Sequence, residues 1–330
     1  MASHAGSVIR ARRAATIIDL LATWSLVCTS FLVVLVMLSL SACAWRATVP
    51  AGLPAQPTLL PCADAACLRV LTWNLHAIPL LSPSPPARLR NVAAEIRLQQ
   101  PDLVLLQEVW SHAYASQLAR ALPEYRLVRG SGCARPFPCG GLVVLVRNAS
   151  GWVASAPTFV PYAASAPWYR FREWDGLVKK GALLLTLARG NATLGVIDTH
   201  LQTEYGYLGR DYTEIRRAQL AEVDRLVHTR FEGRPVVLGG DFNTAPDEHS
   251  GLYASQIARL GEDRTVDERD ACACGTRPPG SYRASSRWLD YVITSRLPVR
   301  AASTRIVNEW VDRPFSDHDG VLVRLEGEIP

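Results

Sequence analysis

Val236-Val237-Leu238-Gly239-Gly240-Asp241-Phe242-Asn243 is the stretch that decides how this chain is read. It opens as a short apolar, β-branched run, the pattern of a buried strand. It closes in a small-residue turn that carries a carboxylate and a carboxamide two positions apart. If the backbone stays extended, alternation puts Asp241 and Asn243 on the same side. The two glycines let the backbone bend and leave room for a ligand. On its own the stretch is as well explained by an Asp-Asn turn after a strand.

The same grammar recurs along the chain. Val70-Leu71-Thr72-Trp73-Asn74 ends in Asn, Leu103-Val104-Leu105-Leu106-Gln107-Glu108 ends in Glu, and Leu194-Gly195-Val196-Ile197-Asp198-Thr199-His200 ends in His. Near the C-terminus the order inverts: Asp290 precedes Tyr291-Val292-Ile293, and Asp317-His318 precede Val321-Leu322-Val323. If the last two strands run antiparallel to the others, all these groups gather at one rim, where open α/β sheets hold ligands. A Glu at the end of an apolar run is costly to bury unless paired or bound to metal. The donors on offer are oxygens, which predicts a hard divalent ion at Glu108.

The 330 residues suffice for one large domain or two small ones. Formal net charge is +5, and loss of Arg10, Arg12, Arg13 and Asp19 with a leader leaves +3. That is too mild to demand nucleic acid. The only lysines are Lys179 and Lys180.

Residues 1–42 read as a leader. Arg10, Arg12 and Arg13 are basic, Leu20 to Leu40 is apolar and uncharged, and Leu40-Ser41-Ala42-Cys43 follows. This resembles a bacterial lipoprotein signal cut before Cys43, which then carries lipid. An uncleaved membrane anchor and simple secretion with cleavage near Ala44 are the alternatives. The remaining cysteines fall into close pairs, Cys62 with Cys67, Cys133 with Cys139 and Cys272 with Cys274, which suggests disulfides in an exported protein. Residues 43–68, rich in Pro and Ala, read as a tether, and 69–330 as the catalytic domain.

Within that domain, spacing predicts a strand over 69–75, a helix over about 87–98, the Gln107-Glu108 strand, a helix over 111–122 and a strand over 141–147. An antiparallel pair is expected at 181–187 and 193–200, turned at Gly190-Asn191. A helix over 210–230 points Ile215, Leu220, Val223, Leu226 and Val227 inward and leaves Arg216, Arg217 and Arg225 on a solvated face. The segment 245–287 reads as loops over the site. Phe159, Tyr162, Trp168, Tyr169, Phe171 and Trp174 form an aromatic insert that either packs or meets a lipid interface.

TWN (72–74), QE (107–108), THL (199–201), GDFN (240–243), LDYV (289–292) and SDH (316–318), in this order, resemble the endonuclease/exonuclease/phosphatase superfamily over about 69–325. The resemblance implies a four-layer α/β sandwich, two mixed β-sheets with helices outside. It implies that Glu108 binds an essential Mg²⁺, with Mn²⁺ the alternative ion, that Asn74 helps to set metal and phosphate, and that Asp317 sits near the metal. It assigns the nucleophilic water and the phosphate to Asp241 and Asn243, proton movement or phosphate contact to His318 oriented by Asp290, and the phosphoryl oxygens to His200. Such a set supplies the terms that phosphoryl transfer needs.

Within the superfamily, THLQTEY (199–205) and the Asp175-x4-Lys180-Gly181 loop resemble neutral sphingomyelinases. This implies a phospholipid substrate, sphingomyelin first, with Lys180 as a phosphate or headgroup contact. A nuclease acting on DNA or RNA is the enzyme alternative, and a non-catalytic surface binding protein is the third class. Oligomeric state is not legible in the sequence.

Overall fold

In the computed structural model the deciding stretch is a strand up to Asp241, buried at every position. The structure describes residues 67–79, 82, 85–130, 139–167, 169, 175, 178–205, 211–267, 269, 276, 287–307 and 316–329. The segments expected to be leader and tether, apart from Cys67 and Leu68, which open the first strand, lie outside the described residues, as do Cys133, Cys272, Cys274, Trp168, Phe171 and Trp174. Cys67 is disulfide-bonded.

In chain order the strands are β1 (Cys67–Ala77), β2 (Leu103–Val109), β3 (Tyr125–Arg129), β4 (Val143–Arg147), β5 (Val153–Ala154), β6 (Thr158–Pro161) and β7 (Gly181–Arg189). They continue as β8 (Ala192–His200), β9 (Val236–Asp241), β10 (Glu262–Asp263), β11 (Asp290–Ser295), β12 (Val299–Val307) and β13 (Gly320–Gly327). The long helices are α1 (Pro85–Gln99), α2 (His112–Ala121) and α3 (Thr213–Arg230). One sheet runs β12-β13-β1-β2-β4-β3 and the other β10-β11-β9-β8-β7-β5, with β6 also on β7. Each sheet is mixed: β1 and β2 are parallel, as are β8 and β9, while β13 and β11 run antiparallel to β1 and β9. The four parallel strands therefore end, and the two late strands begin, at one rim.

Period-two alternation builds the layers. Leu71, Trp73, Val104 and Leu106 pack with Leu89, Val92, Ala93 and Ile96 of α1. Leu68, Val70, Leu103 and Leu105 turn the other way, into the core shared with the second sheet and with Leu220, Val223, Leu226 and Val227 of α3. Gly240 is required at its position. Its φ is +144°, and a Cβ there would lie 1.9 Å from the carbonyl oxygen of its register partner Thr199. The room that Gly239 and Gly240 provide is thus used by neighbouring strands, not by a ligand.

The sandwich and the antiparallel β7–β8 pair match the sequence reading, as do the predicted helices. Three expectations fail. The backbone does not stay extended through Asn243, whose φ is +49°, and its N–H donates to Asp241 Oδ1 at 2.8 Å. An Asx turn therefore closes the strand, because Asn tolerates the left-handed region. Arg216 is not solvated: it is 1 % exposed and paired with Glu248 at 3.3 Å and Glu204 at 3.9 Å. Arg287 completes this network through Glu204 and Glu248. The segment 245–287 is not all loop: it holds a short helix at Leu252–Ser255 and the edge strand β10.

Candidate active site

Two chain distortions aim side chains at the rim. Glu108 would follow Val104 and Leu106 toward the helices if β2 stayed regular, but its φ is +58°. The β1–β2 register shifts between Asn74 and Ala77, where His76 has φ +44°. His76 is held there by its N–H donating to Asn74 Oδ1 at 3.0 Å and by Ser82 Oγ and Arg88 donating to its carbonyl. Strained non-glycine backbone clustered in this way is typical of functional sites.

A cavity at the rim is lined by His76, Ile78, Glu108, Trp110, Asp175, Thr203, Tyr205, Asp241, Asn243, Asp317 and His318. Five of the expected residues therefore meet on its wall: Glu108, Asp241, Asn243, Asp317 and His318. Asn74 lies just beneath. Its Nδ2 donates to Glu108 Oε1 at 3.0 Å and to Asp241 Oδ2 at 2.9 Å, which ties the two carboxylates together. Its oxygen accepts from the His76 N–H, so Asn74 orients the two carboxylates from beneath the wall. Ser316 Oγ donates to the Asn74 carbonyl at 2.6 Å, and Trp73 Nε1 to that of His318 at 3.0 Å, fixing the SDH turn to β1.

His318 stands between two carboxylates. Its Nδ1 is 2.8 Å from Asp290 Oδ2 and its Nε2 is 3.7 Å from Asp241 Oδ2. Burial disfavours the imidazolium, but Asp290, Asp241 and Asp317 outweigh it and lift His318 to about 10. Burial, reinforced by Asp290, raises Asp241 against the pull of His318 and Lys180. Asp290 is fully buried behind His318 and does not reach the wall.

Lys180 and His200 are also behind the wall. The Lys180 ammonium is 3.0 Å from Asp175 Oδ2, 2.9 Å from His200 Nε2, 2.6 Å from the Leu201 carbonyl and 3.3 Å from Thr203 Oγ1. Those partners use all its donors, so the headgroup contact expected of Lys180 is not the one it makes here. Burial, then the Lys180 and His318 cations, hold His200 well below the ordinary imidazole range, so it is neutral. Of the aromatic insert, Tyr162 is buried and bonded to Thr199 Oγ1, Phe159 packs on the core, and Tyr169 is 59 % exposed.

His76 is the site residue that the sequence reading passed over. Its Nδ1 lies 3.3 Å from Asp317 Oδ1 and 3.7 Å from Glu108 Oε2. The donor set is therefore not oxygen alone. The signal available was its place two residues after Asn74, on the same rim. Glu108 Oε2 is buried without a hydrogen-bond partner, and such a carboxylate oxygen fits a divalent cation. Among the described residues, Asp241, Asp290 and His318 are the group that brings one donor atom each within 4.8 Å of one another. A metal there would have to displace the proton that His318 holds and break its bond to Asp290. Glu108, Asp317 and His76 therefore fit an ion better.

A family model described as the Endonuclease/Exonuclease/phosphatase family matches residues 71–318. The chain is 25 % identical over 281 residues to sphingomyelin phosphodiesterase 2 of Mus musculus, covering 78 % of this chain and 65 % of that protein. It thus spans just under two thirds of that relative. Among solved structures, sphingomyelinase C from Streptomyces griseocarneus is similar at TM-score 0.55 and 22 % identity, covering 78 % of this chain and 99 % of that one. Truncated TDP2 of Caenorhabditis elegans is similar at TM-score 0.62 and 16 % identity, covering 79 % and 98 %. Those two likenesses speak for the fold.

Proposed function

The chain belongs to the Endonuclease/Exonuclease/phosphatase family, and from that premise we propose that it is a metal-dependent phosphodiesterase that hydrolyses a phospholipid headgroup ester, sphingomyelin first. The observation that carries the chemistry is one cavity wall holding Glu108 and Asp317 beside the Asp241–His318–Asp290 relay. The substrate reading is supported by the likeness to a sphingomyelin phosphodiesterase.

Glu108, Asp317 and His76 would hold the divalent ion, Mg²⁺ or Mn²⁺, with Asn74 orienting Glu108. Bound there, the ion supplies positive charge to the phosphoryl oxygens. Asp241 and Asn243 position the attacking water and the phosphate, and Asp241 draws off the water's proton. His318, protonated as it stands, gives a proton to the leaving oxygen, and Asp290 keeps the imidazolium oriented. His200 borders this relay as a neutral ring whose Nε2 accepts from the Lys180 ammonium.

The working protein would be exported, with residues 1–42 as a lipoprotein leader, lipid on Cys43, and a tether from there to β1, whose first residue Cys67 would be bridged to Cys62. Tethering raises the effective concentration of lipid substrate. The test is sphingomyelin liposomes against plasmid DNA with Mg²⁺ at equal enzyme. Phosphocholine release with intact plasmid is expected; rapid nicking without phosphocholine would replace the lipid reading with a nuclease.

A further inference from the structure

Beneath the site, between the sheets, sits a carboxyl group with no cation. Asp198 is wholly buried on β8, on the face shared with Leu194 and Val196 by alternation. Gln107, wholly buried on β2, reaches it from the other sheet. Gln107 Nε2 donates to Asp198 Oδ1 at 2.7 Å, to the Leu105 carbonyl at 3.1 Å and to Thr72 Oγ1 at 3.2 Å. The two remaining oxygens, Asp198 Oδ2 and Gln107 Oε1, are both buried without a hydrogen-bond partner. A carboxylate and a carbonyl are both acceptors, and the bond between Gln107 Nε2 and Asp198 Oδ1 sets the two groups side by side. One proton on Asp198 resolves both.

The surroundings agree. The register partners of Asp198 are Leu183 on β7 and Gly239 on β9, and across the sandwich it meets Gln107, whose amide also reaches Thr72. None carries charge, and no ion pair of Asp198 exists among the described residues. Tyr162, whose own phenol burial raises, is the titratable group that senses it. Burial holds the Asp198 carboxyl well above the ordinary range, against the hydrogen bonds from Gln107 and Thr199. A Cβ on Gly239 would lie 2.7 Å from Leu105 Cδ1, so the sheets approach closely beside the pair.

We propose that Asp198 and Gln107 form a neutral acid–amide clasp between the sheets, Asp198 Oδ2–H donating to Gln107 Oε1 while Gln107 Nε2–H donates to Asp198 Oδ1, and that the clasp positions the strand ends carrying Glu108 and His200. Gln107 directly precedes Glu108, and Asp198 precedes His200 by two residues. The clasp therefore sets the height of one sheet's ligand against the other sheet's imidazole. Asp198 and Gln107 are positioning residues. The protonation stands whatever the substrate; the positioning rests on the phosphodiesterase reading.

Asp198→Asn places an N–H where the acid has its O–H and keeps both bonds without a titrating group. Urea unfolding of the full chain and of D198N is compared from pH 4 to 8. The native pair binds a proton that the unfolded chain releases, so stability is lost as pH rises. The unfolding constant of the wild type should grow relative to D198N by about tenfold per pH unit above the ordinary Asp range. A ratio that does not change with pH overturns the protonation. Infrared difference spectra should show the carbonyl stretch of a protonated acid at neutral pH, absent in D198N; its absence from the wild type overturns the clasp. Neither readout needs a substrate. For positioning, Asp198→Val should lower kcat about tenfold or more at saturating metal with KM little changed, and D198N should recover it. Equal kcat in D198V and the wild type overturns that half. If D198V does not fold, Gln107→Met is read the same way.

Discussion

Asp241 and Asp290 are register partners on the adjacent antiparallel strands β9 and β11. His318 bridges them from a third strand's approach, bonded to Asp290 and facing Asp241. Two carboxylates on neighbouring strands would repel without that imidazolium. The three therefore act as a unit, and their losses should not multiply. His318→Ala and Asp290→Asn are each expected to lower kcat roughly a hundredfold. The double variant should fall little below His318→Ala alone, measured as kcat at saturating metal and substrate. A loss equal to the product of the two would mean that Asp290 works apart from His318.

Arg216 gives a stability prediction. Its guanidinium is buried and answers Glu204 and Glu248, which Arg287 also meets. Arg216→Leu removes the cation and leaves partly buried carboxylates short of charge, at a cost of about 3–5 kcal/mol. Urea unfolding measures it. A loss under about 1 kcal/mol is what a solvent-screened pair would give, and would return Arg216 to the surface role its sequence suggests.

That contrast marks what the sequence could carry. Long apolar runs with a polar end, such as Val236–Asp241, declare both strand and site, because burial and rim position are written in the same few residues. Edge strands do not. β12, Val-Arg-Ala-Ala-Ser-Thr-Arg-Ile-Val, is half-exposed over most of its length and shows no apolar run. Tyr125–Arg129 is short and alternates with arginines. Arg216 and Lys180 misled for another reason. Glu248 and Glu204 reach Arg216 from outside its helix, and Lys180 pairs with Asp175 inside the loop that the sequence singles out, but no local pattern announces that either pair is buried. His76 and Glu108 point into the cavity only because their backbones turn left-handed, which side-chain periodicity cannot foresee.

His200 gives a pH prediction. Its folded pKa is depressed below the ordinary imidazole value near 6.5, chiefly by burial. The unfolded chain then binds a proton that the native state refuses, so stability falls as pH drops below that value and is regained above it. His200→Gln should flatten the stability profile between pH 5 and 7, by up to about 1.4 kcal/mol per pH unit. Urea unfolding across that range reads it. A wild type and variant of parallel slope would show that His200 takes up its proton in the fold as freely as outside it.

The ion site yields the last prediction. Glu108 and Asp317 offer carboxylate oxygens, and His76 Nδ1 stands within 3.7 Å of both. Imidazole nitrogen favours Mn²⁺ and its heavier neighbours, whereas Mg²⁺ keeps to oxygen and water. EDTA should abolish activity and Mg²⁺ restore it, and Glu108→Ala should lose both activity and calorimetric binding of either ion. His76→Ala separates the ions. It should weaken Mn²⁺ binding by about tenfold or more, the scale on which metal-site partners act, and weaken Mg²⁺ binding less. Nitrogen hyperfine coupling in the Mn²⁺ spin-echo spectrum should be present in the wild type and lost in His76→Ala. A spectrum without nitrogen coupling, with equal losses for both ions, would confine His76 to pairing with Asp317 and leave an all-oxygen set.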